Sequence, residues 1–135
     1  NWEVIELHPG DISPIAPDEQ NGPGFDIILP NDEFTTFEDY IEEYGFDSIE
    51  AFRGGSSEFV YLLLAIKDST SQNIVLVPAY YQVDEEIRDL FDHAINTGKI
   101  DLVLRQLTGE QIVITQQEPQ LLAPEEFIED SEDSN

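Results

Sequence analysis

Two apolar runs in the middle of the chain restrict its fold more than any other feature. Phe59 to Ile66 and Ile74 to Tyr81 are built almost entirely from β-branched, aromatic and aliphatic residues. Each is short, and each is rich in side chains that suit a pleated, half-buried surface. The segment between them, Lys-Asp-Ser-Thr-Ser-Gln-Asn, is a polar turn, so the pair reads as a β-hairpin. Ile100 to Leu107 and Gln111 to Thr115 form a second hairpin around Thr108-Gly109 by the same logic. Between the hairpins Asp84 caps a helix that runs to about Asn96. Ile87, Leu90, Phe91, Ala94 and Ile95 fall on one face of it, and Gly98 stops it. The order hairpin, helix, hairpin predicts an α+β fold. Its antiparallel sheet consists of the two hairpins, at about residues 59–81 and 100–115, with two to three helices packed on it.

The flanking segments add shorter elements. Trp2 to Leu7 alternates as an edge strand that His8-Pro9-Gly10 ends. Residues 9–24 hold four prolines and three glycines and read as an extended loop. Phe25 to Leu29 is a short buried strand closed by Pro30. Thr35 or Thr36 then caps a helix carrying Phe37, Tyr40, Ile41 and Tyr44, which Gly45 stops. Asp47 to Phe52 reads as a second short helical turn ending at Gly54-Gly55. Past Gln116 the chain is rich in Gln, Pro and acids. Leu121, Leu122, Phe127 and Ile128 are positioned to dock, whereas Asp130 to Asn135 is acidic, lacks any apolar side chain and is expected to be mobile. The expected organisation is one acidic α+β domain over residues 1–129 and a tail over 130–135.

Charge bounds the function. Thirty Asp and Glu face five Lys and Arg, a net charge of −25. Fourteen of those acids precede the first basic residue, Arg53, and seven more lie in residues 118–135 with no base among them. Such clustering opposes compaction, and it points to a positive partner: a metal ion, a basic protein surface or bulk salt. Nucleic acid and anionic lipid are repelled, so neither is an expected partner. The absence of cysteine removes disulfides, thiolate zinc, iron–sulfur clusters and a Cys nucleophile. No apolar run approaches the roughly 20 residues of a membrane span, and no signal peptide is visible. The expected location is the cytoplasm.

For catalysis the yield is poor, and no enzyme activity is expected. His8 and His93 are the two histidines, and neither belongs to a hydrolase, kinase or zincin pattern. His93, next to Asp89 and Asp92, reads as a solvent-facing helix residue. Gly22-Pro-Gly24 and Gly54-Gly55 resemble phosphate loops, yet no Lys or Arg follows either. Paired carboxylates are too abundant to signify a glycosidase.

Calcium chemistry fits better, because Ca2+ takes six to eight oxygens from carboxylates, amides, carbonyls and water. The segment from Asn31 to Asp47 supplies many such side chains and no positive one. On a helix, Glu38 stacks with Glu42 and Asp39 with Glu43 at i,i+4, while Asn31, Asp32 and Glu33 lie just before them. A bound cation would reverse the repulsion of these pairs; the plainer reading is an amphipathic helix with an acidic polar face. A second concentration comprises Asp84, Glu85, Glu86, Asp89 and Asp92. Asp84 and Glu85 also suit a helix N-terminus there, and Arg88 can pair with Asp84 or Asp92. Loop acids Asp11, Asp18, Glu19 and Asp26 are further candidate ligands. No EF-hand is present, since Pro17 falls where the first ligand of the nearest candidate loop belongs.

In size, extreme acidity, lack of cysteine, acid-rich segments and the ending Glu129-Asp-Ser-Glu-Asp-Ser-Asn135, the chain resembles the non-EF-hand calcium-binding protein family of heterocyst-forming cyanobacteria. The resemblance implies a protein that sequesters free Ca2+ and so takes part in calcium signalling during cell differentiation. Two other readings compete. An acidic decoy, inhibitor or immunity protein would use its carboxylates to imitate phosphates and occupy a basic protein surface. Adaptation to high salt would also make a chain acidic and poor in lysine, but it spreads acids evenly, whereas residues 53–117 hold all five basic side chains against nine acids.

Overall fold

The computed structural model describes residues 2–15, 23–107, 109–124, 126 and 127. It has the α+β architecture, with nine strands in two sheets, two helices and a 3-10 turn among the described residues. In chain order these are β1 (Glu3–Glu6), β2 (Gly10–Asp11), β3 (Ser13–Ile15), β4 (Gly24–Ile28), α1 (Asn31–Tyr44), β5 (Ser48–Gly55), β6 (Phe59–Asp68), β7 (Asn73–Gln82), α2 (Glu85–Thr97), β8 (Ile100–Arg105), β9 (Gln111–Gln116) and the 3-10 turn Pro119–Leu122. No described helix is long and apolar enough to cross a membrane.

Both hairpins form where the apolar runs place them. β6 and β7 pair antiparallel over ten residues, from Phe59↔Gln82 to Asp68↔Asn73. β8 and β9 pair from Ile100↔Gln116 to Arg105↔Gln111. The hairpins do not share one sheet, however. The first sheet runs β1-β7-β6-β5 with β2 also alongside β7, and the second runs β3-β4-β8-β9. Nor is either wholly antiparallel, because β1 and β2 join β7 parallel and β4 joins β8 parallel. Hairpin pairing follows from a short turn, which dictates antiparallel neighbours; the partner of a distant strand has no such local determinant. α2 explains the division, since it carries the chain out of β7 and into the other sheet.

The core lies between the inner faces of the two sheets. Val60, Leu62, Leu64, Ile66, Val75, Val77 and Tyr81 alternate inward from the first sheet, and Phe25, Ile27, Ile100, Leu102 and Leu104 from the second. The Phe25 and Tyr81 rings stack at 5.2 Å across the gap, and Phe91 of α2 packs on both, at 5.7 and 6.0 Å. Tyr81 donates its hydroxyl to the Leu122 carbonyl at 2.6 Å, tying the 3-10 turn to this cluster. Phe127 packs on Phe91 at 5.9 Å, so Leu122 and Phe127 dock as the sequence suggests.

Four local readings are corrected. α1 begins at Asn31, four residues before the threonines expected to cap it. Pro30 occupies the cap position with no side-chain cap, its carbonyl accepting the Phe34 amide at 2.9 Å, and Asp32 and Glu33 sit in the first turn, where the helix dipole favours them. Thr35 and Thr36 donate their hydroxyls to the carbonyls of Asn31 and Asp32, as threonines inside a helix do. Asp47 to Phe52 is no helical turn. It starts β5, which pairs with β6 over eight residues and satisfies the backbone of the segment there. Part of the expected 9–24 loop is strand, because β2 and β3 find sheet edges. Ile95 leaves the buried face of α2 and is 40% exposed. Ile128 and the tail 130–135 lie outside the described residues.

Candidate functional site

α1 shows its structural face through Phe34, Phe37 and Tyr40, all buried. That orientation turns Asn31, Asp32, Asp39, Glu42 and Glu43 outward, with Glu33 and Glu38 half-buried at its margins. Glu33 is already engaged. Its Oε1 accepts the His8 amide at 2.6 Å and its Oε2 meets His8 Nδ1 at 2.9 Å. That hydrogen bond and charge raise the pKa of His8 above its ordinary value. The other α1 carboxylates have no cation within ion-pair distance among the described residues.

Glu38 is under the greatest pressure. Its carboxyl is pushed above the ordinary range, first by loss of hydration, then by the charge of Glu110, with Glu42 and Asp39 adding to it. Glu110 comes from the turn between β8 and β9, close enough for its charge to act on Glu38. Sequence spacing could not find this neighbour, because the two residues meet only through the tertiary fold. The single signal was that Glu110 is the one acid between Asp101 and Glu118.

The second concentration is divided by its structural duties. Asp84 Oδ1 accepts the Ile87 amide at 2.9 Å, a standard N-cap bond, and Glu85 and Glu86 fill the first turn of α2. Asp89 and Asp92 are exposed. Arg88 turns away from Asp84 and Asp92 and pairs with Glu126 at 3.0 Å. Asp26, offered as a loop ligand, lies in β4 and is held by Arg105 through two bonds of 2.7 and 2.8 Å. Asp18 and Glu19 lie outside the described residues, as does the side chain of Asp11. Among the described residues, no group of three or more His, Asp or Glu stands in an arrangement that could hold a metal ion. The candidate ligands of the two concentrations thus belong to two separate helices, α1 and α2 with its cap, and what α1 offers is a surface of carboxylates.

Each of the two glycine segments borders a hollow, Gly54-Gly55 one and Gly24 the other. Arg53, Gly54, Gly55, Ser56 and Val60 line a cavity of about 230 Å³. The outer face of the second sheet has one of about 270 Å³, lined in part by Asp26, Asp101 and Arg105. Their polar groups are largely satisfied by neighbours. Ser56 Oγ accepts the amides of Glu58 and Phe59, Asp26 and Arg105 satisfy each other, and Asp101 accepts the Thr115 hydroxyl at 2.8 Å.

No curated protein and no solved structure matches the chain. A family of unknown function, DUF7529, matches residues 1–124, and the chain belongs to that family.

Proposed function

We propose that this chain is a non-catalytic binding module that works in the cytoplasm and docks a basic protein surface through the outer face of α1, extended by Glu110. The observation that supports it is the set Asp32, Glu38, Asp39, Glu42 and Glu43, presented on one helix with no ion-pair partner among the described residues. A 14-residue helix is about 21 Å long, with stacked acids about 6 Å apart, so a row of Lys or Arg can be met one carboxylate at a time. Binding of that kind relieves the repulsion around Glu38, and its affinity falls with salt.

The test is capture of a basic partner from extracts of the source cells, with two variants. Neutralising α1 (Asp32→Asn, Glu38→Gln, Asp39→Asn, Glu42→Gln) abolishes capture. Neutralising α2 to the same extent (Glu85→Gln, Glu86→Gln, Asp89→Asn, Asp92→Asn) leaves it intact. Equal capture by both variants would reject the proposal. Calcium binding is the second reading, favoured by the approach of Glu38 and Glu110 from different elements. Calorimetric titration with Ca2+, repeated in excess Mg2+, separates the two: heat that vanishes in the Glu38→Gln, Glu110→Gln variant assigns the site to the metal.

A further inference from the structure

We propose that the open hollow beside Tyr61 and Tyr80, on the outer face of the first sheet, receives an arginine side chain of a basic partner protein. The two tyrosines are cross-strand neighbours in register on β6 and β7, 57% and 40% exposed. Their ring centroids stand 6.0 Å apart with the planes inclined at 37°, so neither ring covers the other. Tyr61, Tyr80, Pro78 and His8 border the hollow, which measures about 510 Å³.

The occupant follows from charge and ring geometry. An aromatic face attracts a cation lying within about 6 Å of its centroid. Because the two centroids are 6.0 Å apart, one cation seated over their midpoint is in reach of both rings. The surroundings are acidic. Glu6 and Glu50 stand on this face of the sheet, and Asp11 falls in register with Tyr80. Lys67 is the one Lys or Arg of the face among the described residues, and Glu50 holds it at 2.8 Å. His8 is no obstacle to a cation. Glu33 offsets its charge at 2.9 Å, and Glu6 is close enough for its own charge to act there as well. Arginine fits better than lysine, because a planar, weakly hydrated guanidinium stacks on a ring face at little dehydration cost while its stem lies along Pro78. The His8–Glu33 pair also joins the hollow to the first turn of α1, so a partner lying on the α1 acids reaches it across a single ion pair. The inference rests on the reading of the partner as basic and adds an anchor to it. The α1 acids attract any basic surface, whereas the paired rings select an arginine within it.

NMR titration of the full chain with a tetra-arginine peptide, at about 0.15 M NaCl, tests the anchor. The ring resonances of Tyr61 and Tyr80 are expected to shift, and the arginine δ-methylene protons to move upfield in the ring current. The dissociation constant should rise about fivefold in the Tyr61→Leu, Tyr80→Leu variant and less than about twofold in Tyr61→Phe, Tyr80→Phe, which keeps both aromatic faces. Should the leucine variant melt early, the ring shifts in wild type and in the phenylalanine variant decide the matter. Tyrosine rings that stay unmoved while α1 resonances shift overturn the proposal. So do equal ring shifts with tetralysine or tetraglutamine, or an affinity unchanged in a folded leucine variant. In the α1 variant (Asp32→Asn, Glu38→Gln, Asp39→Asn, Glu42→Gln) the ring shifts at saturation persist, and their loss there also overturns the anchor. If that variant binds tetra-arginine as tightly as wild type with the ring shifts intact, docking on α1 fails and the hollow stands.

Discussion

The consequences of so much negative charge are sharpest at Glu38. Partial dehydration and the neighbouring carboxylates of Glu110, Glu42 and Asp39 favour its protonated form in the folded state. A carboxyl raised above its unfolded value contributes stability that is fully present below that unfolded value and is lost as pH rises through the folded one. Glu38→Gln is therefore expected to raise the melting temperature at neutral pH, with the gain shrinking as pH falls through the raised range of the folded carboxyl and gone by the ordinary carboxylate value. Melting curves of both proteins from acidic to neutral pH check it. Tyr40 offers a second residue-scale test. Its hydroxyl is buried without a hydrogen-bond partner among the described residues, and its pKa is pushed up to about 12 by burial, with Glu3, Tyr44 and Asp68 contributing. Tyr40→Phe removes an unsatisfied polar atom and keeps the ring, so stability should hold or rise by about 1 kcal/mol in denaturant unfolding. Above pH 10 the unfolded tyrosine ionises first, so wild-type stability falls with pH there, and the variant should lose that part of the decline.

Among the elements, α2 and the two hairpins were legible because each is specified locally. Ile87, Leu90, Phe91 and Ala94 recur at helical spacing, Asp84 and Gly98 mark the ends, and Gly98 adopts the left-handed conformation that a helix stop requires. Asp84→Ala should accordingly cost about 1 kcal/mol through the lost bond to the Ile87 amide, read as a lowered denaturation midpoint. β5 was not legible, because Ser48-Ile-Glu-Ala-Phe52 becomes a strand only when the free edge of β6 is available to it. The same holds for β2, β3 and the division into two sheets, which depend on partners tens of residues away. Gly55, read as a helix-ending residue, in fact closes the β5–β6 connection at φ +129°, and a side chain there would collide with the Phe59 carbonyl oxygen. Gly55→Ala should destabilise by more than the usual helix-cap glycine substitution, by about 2 kcal/mol or more. An equilibrium unfolding midpoint unchanged from wild type would show that the connection relaxes freely. For the candidate site, α1 and its acids were visible from spacing, but Glu110 was not, since no periodicity links a turn residue to a helix from which five strands and helices separate it in chain order.

On the scale of the whole molecule, the acids are solvated on both helices and on the strand edges, and none of those described is buried. The four described ion pairs engage Glu33, Glu50, Glu126 and Asp26, and so leave most of the acids unneutralised. Repulsion among the rest works against the folded state more than against an expanded one, because folding brings the charges closer together. Raising NaCl from low ionic strength is thus expected to raise the melting temperature as the screening length shortens from about 30 Å at 0.01 M to about 10 Å at 0.1 M. Neutralising Asp32, Glu38, Asp39 and Glu42 together should stabilise the protein at low salt and flatten that salt dependence, since it removes the densest part of the field. Ca2+ supplies the decisive arm of the same measurement. If α1 is a surface for a basic protein, millimolar Ca2+ and NaCl at matched ionic strength should shift the melting temperature alike, as screening alone requires. If a divalent ion is held specifically, binding to the folded state adds about 2.7 kcal/mol at a hundredfold excess over its dissociation constant. That excess would disappear in the four-fold α1 variant, and its appearance in wild type would move the function of α1 from protein docking to calcium.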